Sequence, residues 1–173
     1  LLLIDCVSRQ VVTAPYPCRY LALSYVWGKQ KARAFNIGEK LLSLPQTIED
    51  AMTVTSKLGF QYLWVDMYCI KQDDQNHVGD QIRHMDLVYR RAQATIVAAA
   101  GDNPDFGLPG VSSSRQTRQA HATINGISMA SFTHNLWELV DSSTWNSRAW
   151  TFQESLFSPR RIFFTTEQMI YNC

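Results

Sequence analysis

The sequence lacks the features that define several broad protein classes. Glycine and proline are sparse, with 8 and 6 residues in a chain of 173, which argues against a disordered or low-complexity protein. No apolar run approaches the ~20 residues that span a bilayer, so we expect no membrane partner. The 16 basic and 15 acidic residues leave a net charge of +1, which is unlike the strongly basic surface of a nucleic-acid-binding protein.

Cysteine is also scarce, and the four cysteines are Cys6, Cys18, Cys69 and Cys173. None has a C-x-x-C spacing, so the pattern predicts neither a structural zinc site nor a dense disulfide framework. Reduced thiols in a cytoplasmic protein are the simpler interpretation, and we expect no metal ion. The alternative is a metal cluster of Cys69, His77 and His84, because the two histidines could share one helix face.

The length corresponds to one domain, at roughly 150 residues per domain. Hydrophobic residues make up 46% of the chain and aromatic residues 12%, which is enough to build a core. The apolar run at residues 1–4 starts without methionine and stops at Asp5, too early for a signal peptide. We therefore expect residues 1–173 to form a single domain, cut from a longer protein.

Three apolar segments alternate with two helical patterns in the first hundred residues. The segments at 21–25, 62–65 and 95–100 are typical of buried strands. A helix is predicted from a capping box at Ser43 and Gln46, with Pro45 in its first turn, to a stop at Gly59, and another over 73–91. This order predicts an α/β fold with a mostly parallel sheet flanked by helices. Ligands bind at the carboxyl ends of such strands.

The second half of the chain is predicted to add smaller elements. The Asn125-Gly126 pair favours a β-hairpin near residues 120–132, after a surface loop over 101–119. A short helix is predicted over 148–157, with Asn146 or Ser147 as its cap. Two late strands are expected at 161–165 and 168–172.

Six motifs in series resemble those of the fungal heterokaryon-incompatibility (HET) domain. They are YLALSYVWG at 20–28, LPQTIEDA at 44–51, YLWVD at 62–66, CIKQDD at 69–74, MDLVYRRA at 85–92 and RAWTFQE at 148–154. The resemblance runs from about Tyr20 to Phe164 in the order of the family. Met67-Tyr68 and Ala149 depart mildly from the usual pattern.

The resemblance implies a function in fungal self/non-self recognition, in which the domain triggers programmed cell death after incompatible cells fuse. It also implies an N-terminal effector that works with other domains of a longer protein. HET domains look like distant relatives of Toll/interleukin-receptor (TIR) domains, which have a flavodoxin-like sheet. Many TIR domains hydrolyse NAD as substrate, without a cofactor, when their protomers assemble into a homo-oligomer.

The TIR enzymes carry their catalytic glutamate in a W-x-x-x-E pattern, and Trp150 and Glu154 have this spacing. By this resemblance Glu154 takes the catalytic position. A carboxylate suits the reaction physically, because positive charge develops on the ribose as nicotinamide leaves. The candidate substrate-binding residues are Tyr25, Trp27, Gly28, Asp66, Cys69, Arg148 and Trp150. The tryptophans and Tyr25 could stack on a base, and Arg148 could bind a phosphate.

Each of these residues also has a plain structural interpretation. Glu154 could be a surface residue paired with Arg160 or Arg161, and the tryptophans could be core residues. Asp66 could cap the turn that follows its strand. Cys69 could be a small, buried hydrophobic residue. The domain as a whole could be a non-catalytic oligomerising module that recruits a death effector, or could bind a nucleotide without turnover. NAD and NADP stay open, because the sequence has no G-x-G-x-x-G loop.

Overall fold

The computed structural model describes residues 1–30, 36–115, 120–131 and 135–173, without the side chains of residues 75–77 and 136. Its strands are β1 (Leu2–Asp5), β2 (Gln10–Thr13), β3 (Tyr20–Ser24), β4 (Tyr62–Trp64), β5 (Thr95–Ala98), β6 (His121–Ile124), β7 (Ile127–Ala130), β8 (Arg161–Phe164) and β9 (Met169–Asn172). Its helices are α1 (Gln46–Lys57), α2 (Asp66–Cys69), α3 (Gln75–Arg83), α4 (Met85–Arg91), α5 (Leu136–Asp141) and α6 (Ala149–Phe157). Strands and helices alternate from β3 to β5, as the sequence predicts.

Seven strands form one mixed sheet in the order β2-β1-β4-β3-β5-β8-β9. The four central strands β4, β3, β5 and β8 are parallel, whereas the pairs β2–β1, β1–β4 and β8–β9 towards the two edges are antiparallel. The prediction of an α/β fold with a mostly parallel sheet flanked by helices is therefore confirmed for the centre. The antiparallel pair β1–β2 was not predicted, because its two strands are joined by a short turn and fall outside the alternation of strands and helices.

The two faces of the sheet follow from the alternation of side chains along β3. The hydroxyl of Tyr20 donates to the backbone of α4, and the hydroxyl of Ser24 contacts α6. Leu21 and Leu23 point to the opposite face, which right-handed crossovers assign to α1. The site described below lies on the face covered by α4 and α6, which contact each other.

The two long helical patterns are real, but their boundaries differ from the prediction. The capping box is wrong, because Pro45 occupies the N-cap and Gln46 bonds to Asp50 instead. The helix ends at Lys57 with Leu58 as its C-cap, and the predicted stop, Gly59, follows with a φ of +79° that favours glycine. The predicted helix over 73–91 is two helices, since His84 (φ −109°, ψ 12°) leaves helical geometry between α3 and α4.

The hairpin prediction is confirmed over the described residues. Asn125 and Gly126 both have positive φ, 51° and 79°, as a tight hairpin turn requires. Strands β6 and β7 form a separate two-stranded sheet whose residues are all exposed. Phe132 and Gln119, at the ends of the predicted hairpin and loop, lie outside the described residues.

The core surrounds the parallel strands. Trp64 of β4 is fully buried and packs edge-on against Tyr89 of α4, with ring centroids 5.5 Å apart. Trp145 packs edge-on against Phe163 of β8 at 6.0 Å. None of the helices within the described ranges has the length and apolar character needed to cross a bilayer.

Candidate active site

A cavity of about 360 Å³ lies at the carboxyl ends of β3 and β4, under α3 and α6. Two tryptophans, four aliphatic side chains and four polar side chains line it: Trp27, Asp66, Ile70, Gln72, Val78, Ile82, Met85, Arg148, Trp150 and Glu154. This is the position in which open α/β sheets bind ligands. Five of the eight sequence-predicted residues line it, namely Trp27, Asp66, Arg148, Trp150 and Glu154.

Glu154 reaches this cavity from the second turn of α6 and is 3% exposed. Its Oε2 accepts a hydrogen bond from the hydroxyl of Ser24, at the end of β3. Burial raises the pKa of Glu154 above its usual value, while Ser24, Arg148 and the Tyr89 hydroxyl each act to lower it. The alternative of a surface residue is wrong, because Arg160 and Arg161 bond to other groups.

Asp66 begins α2, directly after β4, and faces Glu154 across the cavity. Its carboxyl group accepts the indole N–H of Trp27 at 2.9 Å and 3.0 Å and the backbone N–H of Met67 at 2.8 Å. Burial, followed by repulsion from Glu154, raises the pKa of Asp66 to about 7. Asp66 lines the cavity, and its side chain bonds to the adjacent backbone N–H without capping α2, whose N-cap is Val65.

Arg148 and Trp150 complete the wall formed by α6. Arg148 is the N-cap residue of this helix, rather than Asn146 or Ser147 as predicted, and its guanidinium donates to the backbone carbonyl of Tyr25. Trp150 is 47% exposed at the cavity rim. The four-residue spacing between Trp150 and Glu154 places both on one helix face.

The other three predicted binding residues do not line the cavity. Tyr25 is 2% exposed, and its buried hydroxyl has no hydrogen-bond partner among the described residues. Gly28 forms a turn with φ +62°, and a Cβ there would lie 3.3 Å from Pro104. Cys69 is fully buried; its sulfur accepts the backbone N–H of Val65, and burial raises its pKa to about 12. None of these three residues is therefore placed to contact a ligand in the cavity.

Several residues at the site were missed by sequence reasoning. Ser24 was counted only as part of a buried strand, although a hydroxyl that interrupts an apolar strand near its carboxyl end is a usable signal. Trp145, whose indole N–H donates to the hydroxyl of Ser24 at 2.6 Å, carries no local signal because 121 positions separate the two residues.

Among the described side chains, no three histidine, cysteine, aspartate or glutamate residues group as a metal site would require. The side chain of His77, part of the alternative metal cluster, lies outside the described residues. A second cavity of about 410 Å³ lies at the carboxyl ends of β5 and β8. Its polar lining consists of one carboxyl group and five hydroxyls, those of Asp102, Ser142, Ser143, Thr144, Thr165 and Thr166.

Comparison with known proteins identifies the family. The family model described as "Heterokaryon incompatibility protein (HET)" matches residues 20–154. A curated relative, "Heterokaryon incompatibility protein 6, OR allele" of Neurospora crassa, is 31% identical over 104 residues, which cover 50% of this chain and 15% of the relative. The chain thus corresponds to a small part of that protein's length, and no solved structure matches it. Because the family model covers most of the chain, this chain belongs to the heterokaryon incompatibility (HET) family.

Proposed function

We propose that this domain hydrolyses NAD at the bond between nicotinamide and ribose, with Glu154 as the catalytic carboxylate. The observation that carries the proposal is the position of Glu154, which is almost fully buried and still lines a cavity at the carboxyl edge of the sheet. Removing a charged carboxyl group from water is costly unless it is paired and hydrogen-bonded. Here Ser24 and Arg148 stabilise the charge.

The main requirement of this reaction is a negative charge next to the ribose. The C–N bond breaks with both electrons leaving on nicotinamide, which departs neutral. Water adds its oxygen to the ribose carbon and releases one proton, which a carboxylate can accept. The transition state has the positive charge of an oxocarbenium ion, and a fixed carboxylate in a water-poor cavity stabilises that charge strongly.

The charge and aromatic content of the cavity fit the cationic ring of the substrate. Two carboxyl groups, Asp66 and Glu154, face one guanidinium, Arg148. The indoles of Trp27 and Trp150 offer faces that attract a cation. In Asp66, Oδ2 accepts one bond from Trp27 and keeps a lone pair for a ribose hydroxyl.

The topology supports the same proposal at the level of the fold. Numbered along the chain, the four parallel strands β3, β4, β5 and β8 lie in the order 2-1-3-4, which is the order of flavodoxin-like sheets. We infer a TIR-like fold from this order and from the W-x-x-x-E spacing. The printed name of the Neurospora relative supports a role in fungal heterokaryon incompatibility, and we propose programmed cell death as its outcome.

NAD hydrolysis by purified protein tests the proposal. Wild type, clustered at high concentration, should release nicotinamide, and Glu154→Gln should lower kcat by about 10²–10⁴-fold, as loss of a catalytic carboxylate does. Glutamine preserves the size of the side chain and an acceptor for Ser24. The matched control is Glu138→Gln at an exposed position of helix α5, which should retain full activity. Equal loss in both variants, or none in either, would contradict the proposal.

A second candidate function is supported by the outer face of α6. Phe152 and Leu156 are 71% and 61% exposed, and their four-residue spacing places them on one face. Exposed apolar patches mark interaction surfaces. A non-catalytic module that assembles through this face and recruits a death effector would retain its toxicity in Glu154→Gln, whereas an NAD hydrolase would lose it.

A further inference from the structure

Three buried side chains form a hydrogen-bonded chain that ends at the candidate catalytic carboxylate. The indole N–H of Trp145 donates to the hydroxyl of Ser24 at 2.6 Å, and that hydroxyl donates to Oε2 of Glu154. Trp145, Ser24 and Glu154 are 2%, 1% and 3% exposed. Bulk water therefore does not compete for these bonds, and the geometry of the chain is set by the protein alone.

The chemistry of the three groups fixes the direction of the bonds. An indole N–H can only donate, and a hydroxyl has one proton and two lone pairs. Trp145 occupies one lone pair of Ser24, and a charged carboxylate can only accept, so the single proton of Ser24 points at Glu154. Without Trp145 the hydroxyl could rotate and present a lone pair to the carboxylate, which would repel it.

We propose that Trp145 and Ser24 are positioning residues for the NAD hydrolysis proposed above, because together they direct one proton onto Oε2 of Glu154 and hold that carboxylate charged and in one orientation. Trp145 acts only through Ser24. Its own ring is held by edge-on packing on Phe163 of β8, with an interplanar angle of 90°. Trp145, in the segment between α5 and α6, thereby controls the charge and orientation of Glu154 on α6.

This arrangement counteracts the effect of burial on the charge of Glu154. Burial raises the pKa of Glu154, and an uncharged carboxyl could not stabilise a cationic ribose. The bond from Ser24 counteracts this effect, because it favours the charged form. Loss of Ser24 or of the Trp145 N–H should therefore shift the protonation of Glu154 towards higher pH.

Titration of Glu154 tests the proposal without depending on turnover. The carboxyl signal of Glu154 is followed by ¹³C NMR and is assigned by its absence in Glu154→Gln. We expect Ser24→Ala to raise the pKa of Glu154 by about one pH unit, and Trp145→Phe to raise it by less. The double variant should equal Ser24→Ala, because Trp145 acts through the missing hydroxyl. The acid limb of kcat/KM should move with the pKa in each variant.

Ser158→Ala is the matched control. Its buried hydroxyl bonds to Thr95 at 2.7 Å and to the backbone carbonyl of Glu154 at 2.6 Å, not to the carboxylate. It should lower thermal stability as Ser24→Ala does but leave the titration of Glu154 unchanged. Ser24→Thr, which keeps the hydroxyl, should restore the wild-type value.

An unshifted Glu154 in Ser24→Ala, or shifts in the two single variants that add up in the double variant, would overturn the inference. A wild type that titrates as expected but releases no nicotinamide would contradict the proposed function and leave the hydrogen-bonded chain standing.

Discussion

The two cavities at the carboxyl edge of the sheet are similar in size and differ in how their polar groups are bonded. In the cavity around Glu154, side-chain bonds join elements far apart in the sequence, such as Ser24 to Glu154 across 130 positions. In the second cavity the hydroxyls bond locally. Ser143 donates to the carbonyl three residues before it, and Thr165 to the carbonyl three residues after it.

Under the proposed function, the difference separates the candidate catalytic cavity from a cavity that lies between turns. Local hydroxyl bonds close the turns that contain them, and they would form whatever lay opposite. Long-range bonds to buried carboxyl groups require several elements to meet, at a cost in desolvation. Volume alone would favour the second cavity, at 410 Å³ against 360 Å³, so the bonding pattern is the better guide to the site.

Removing one carboxyl group from each cavity tests this comparison with the largest expected effect. Asp66→Asn should lower kcat/KM for NAD by about 10–100-fold, because a charged hydrogen-bond acceptor for the substrate is lost. The amide oxygen of asparagine still accepts from Met67, so the turn should stay intact, whereas the bond from Trp27 to Oδ2 is lost. The matched change, Asp102→Asn, should alter kcat/KM by less than about twofold, within the range of ordinary surface substitutions. Steady-state kinetics of the two variants decide between the cavities.

The outcome that reverses the comparison is equally clear. If Asp102→Asn were the damaging change and Asp66→Asn harmless, the substrate would occupy the cavity at β5 and β8. The local bonding of its hydroxyls would then have been a misleading guide.

Much of the fold was predictable, because its elements are encoded locally. The buried strands at β3, β4 and β5 are short apolar runs, and the hairpin turn follows from Asn125 and Gly126. Strands β1 and β2 were not predicted, because their antiparallel pairing with each other and of β1 with β4 is a contact between segments that neither sequence indicates alone. The break at His84 was missed because the apolar stripe continues across it.

The site was predictable only in part, and for the same reason. Trp150 and Glu154 lie on one helix, so their spacing alone places them together. Asp66 follows a strand and was found from the topology. Ser24 and Trp145 meet Glu154 only after the sheet and α6 are packed, and no pattern within either segment indicates that contact.

The aromatic rim offers a smaller and more local test. Trp150→Ala should raise KM for NAD about tenfold with little change in kcat, because a cation–π contact contributes roughly 1–2 kcal/mol to binding. The control is Gln153→Ala on the same helix, since Gln153 is exposed and does not line the cavity. Equal KM values for the two variants would mean that helix packing, not contact with the ring of the substrate, explains any loss.

The smallest expected effect is on the pH dependence of stability. The pKa of Asp66 is raised from 3.8 to about 7, so the folded state binds its proton more tightly than the unfolded state does. The free energy of unfolding should therefore fall as pH rises from about 4 to 7, and the penalty should persist above pH 7. Asp66→Asn removes this term, so relative to wild type it should gain about 1–2 kcal/mol between pH 5 and pH 8, allowing for partial exposure.

Trp27→Phe deletes a bond that favours the charged form and should extend the fall to higher pH. Urea unfolding at several pH values measures both, and a gain for Asp66→Asn that shrinks with rising pH would show that this carboxyl group is stabilised, not strained, in the cavity.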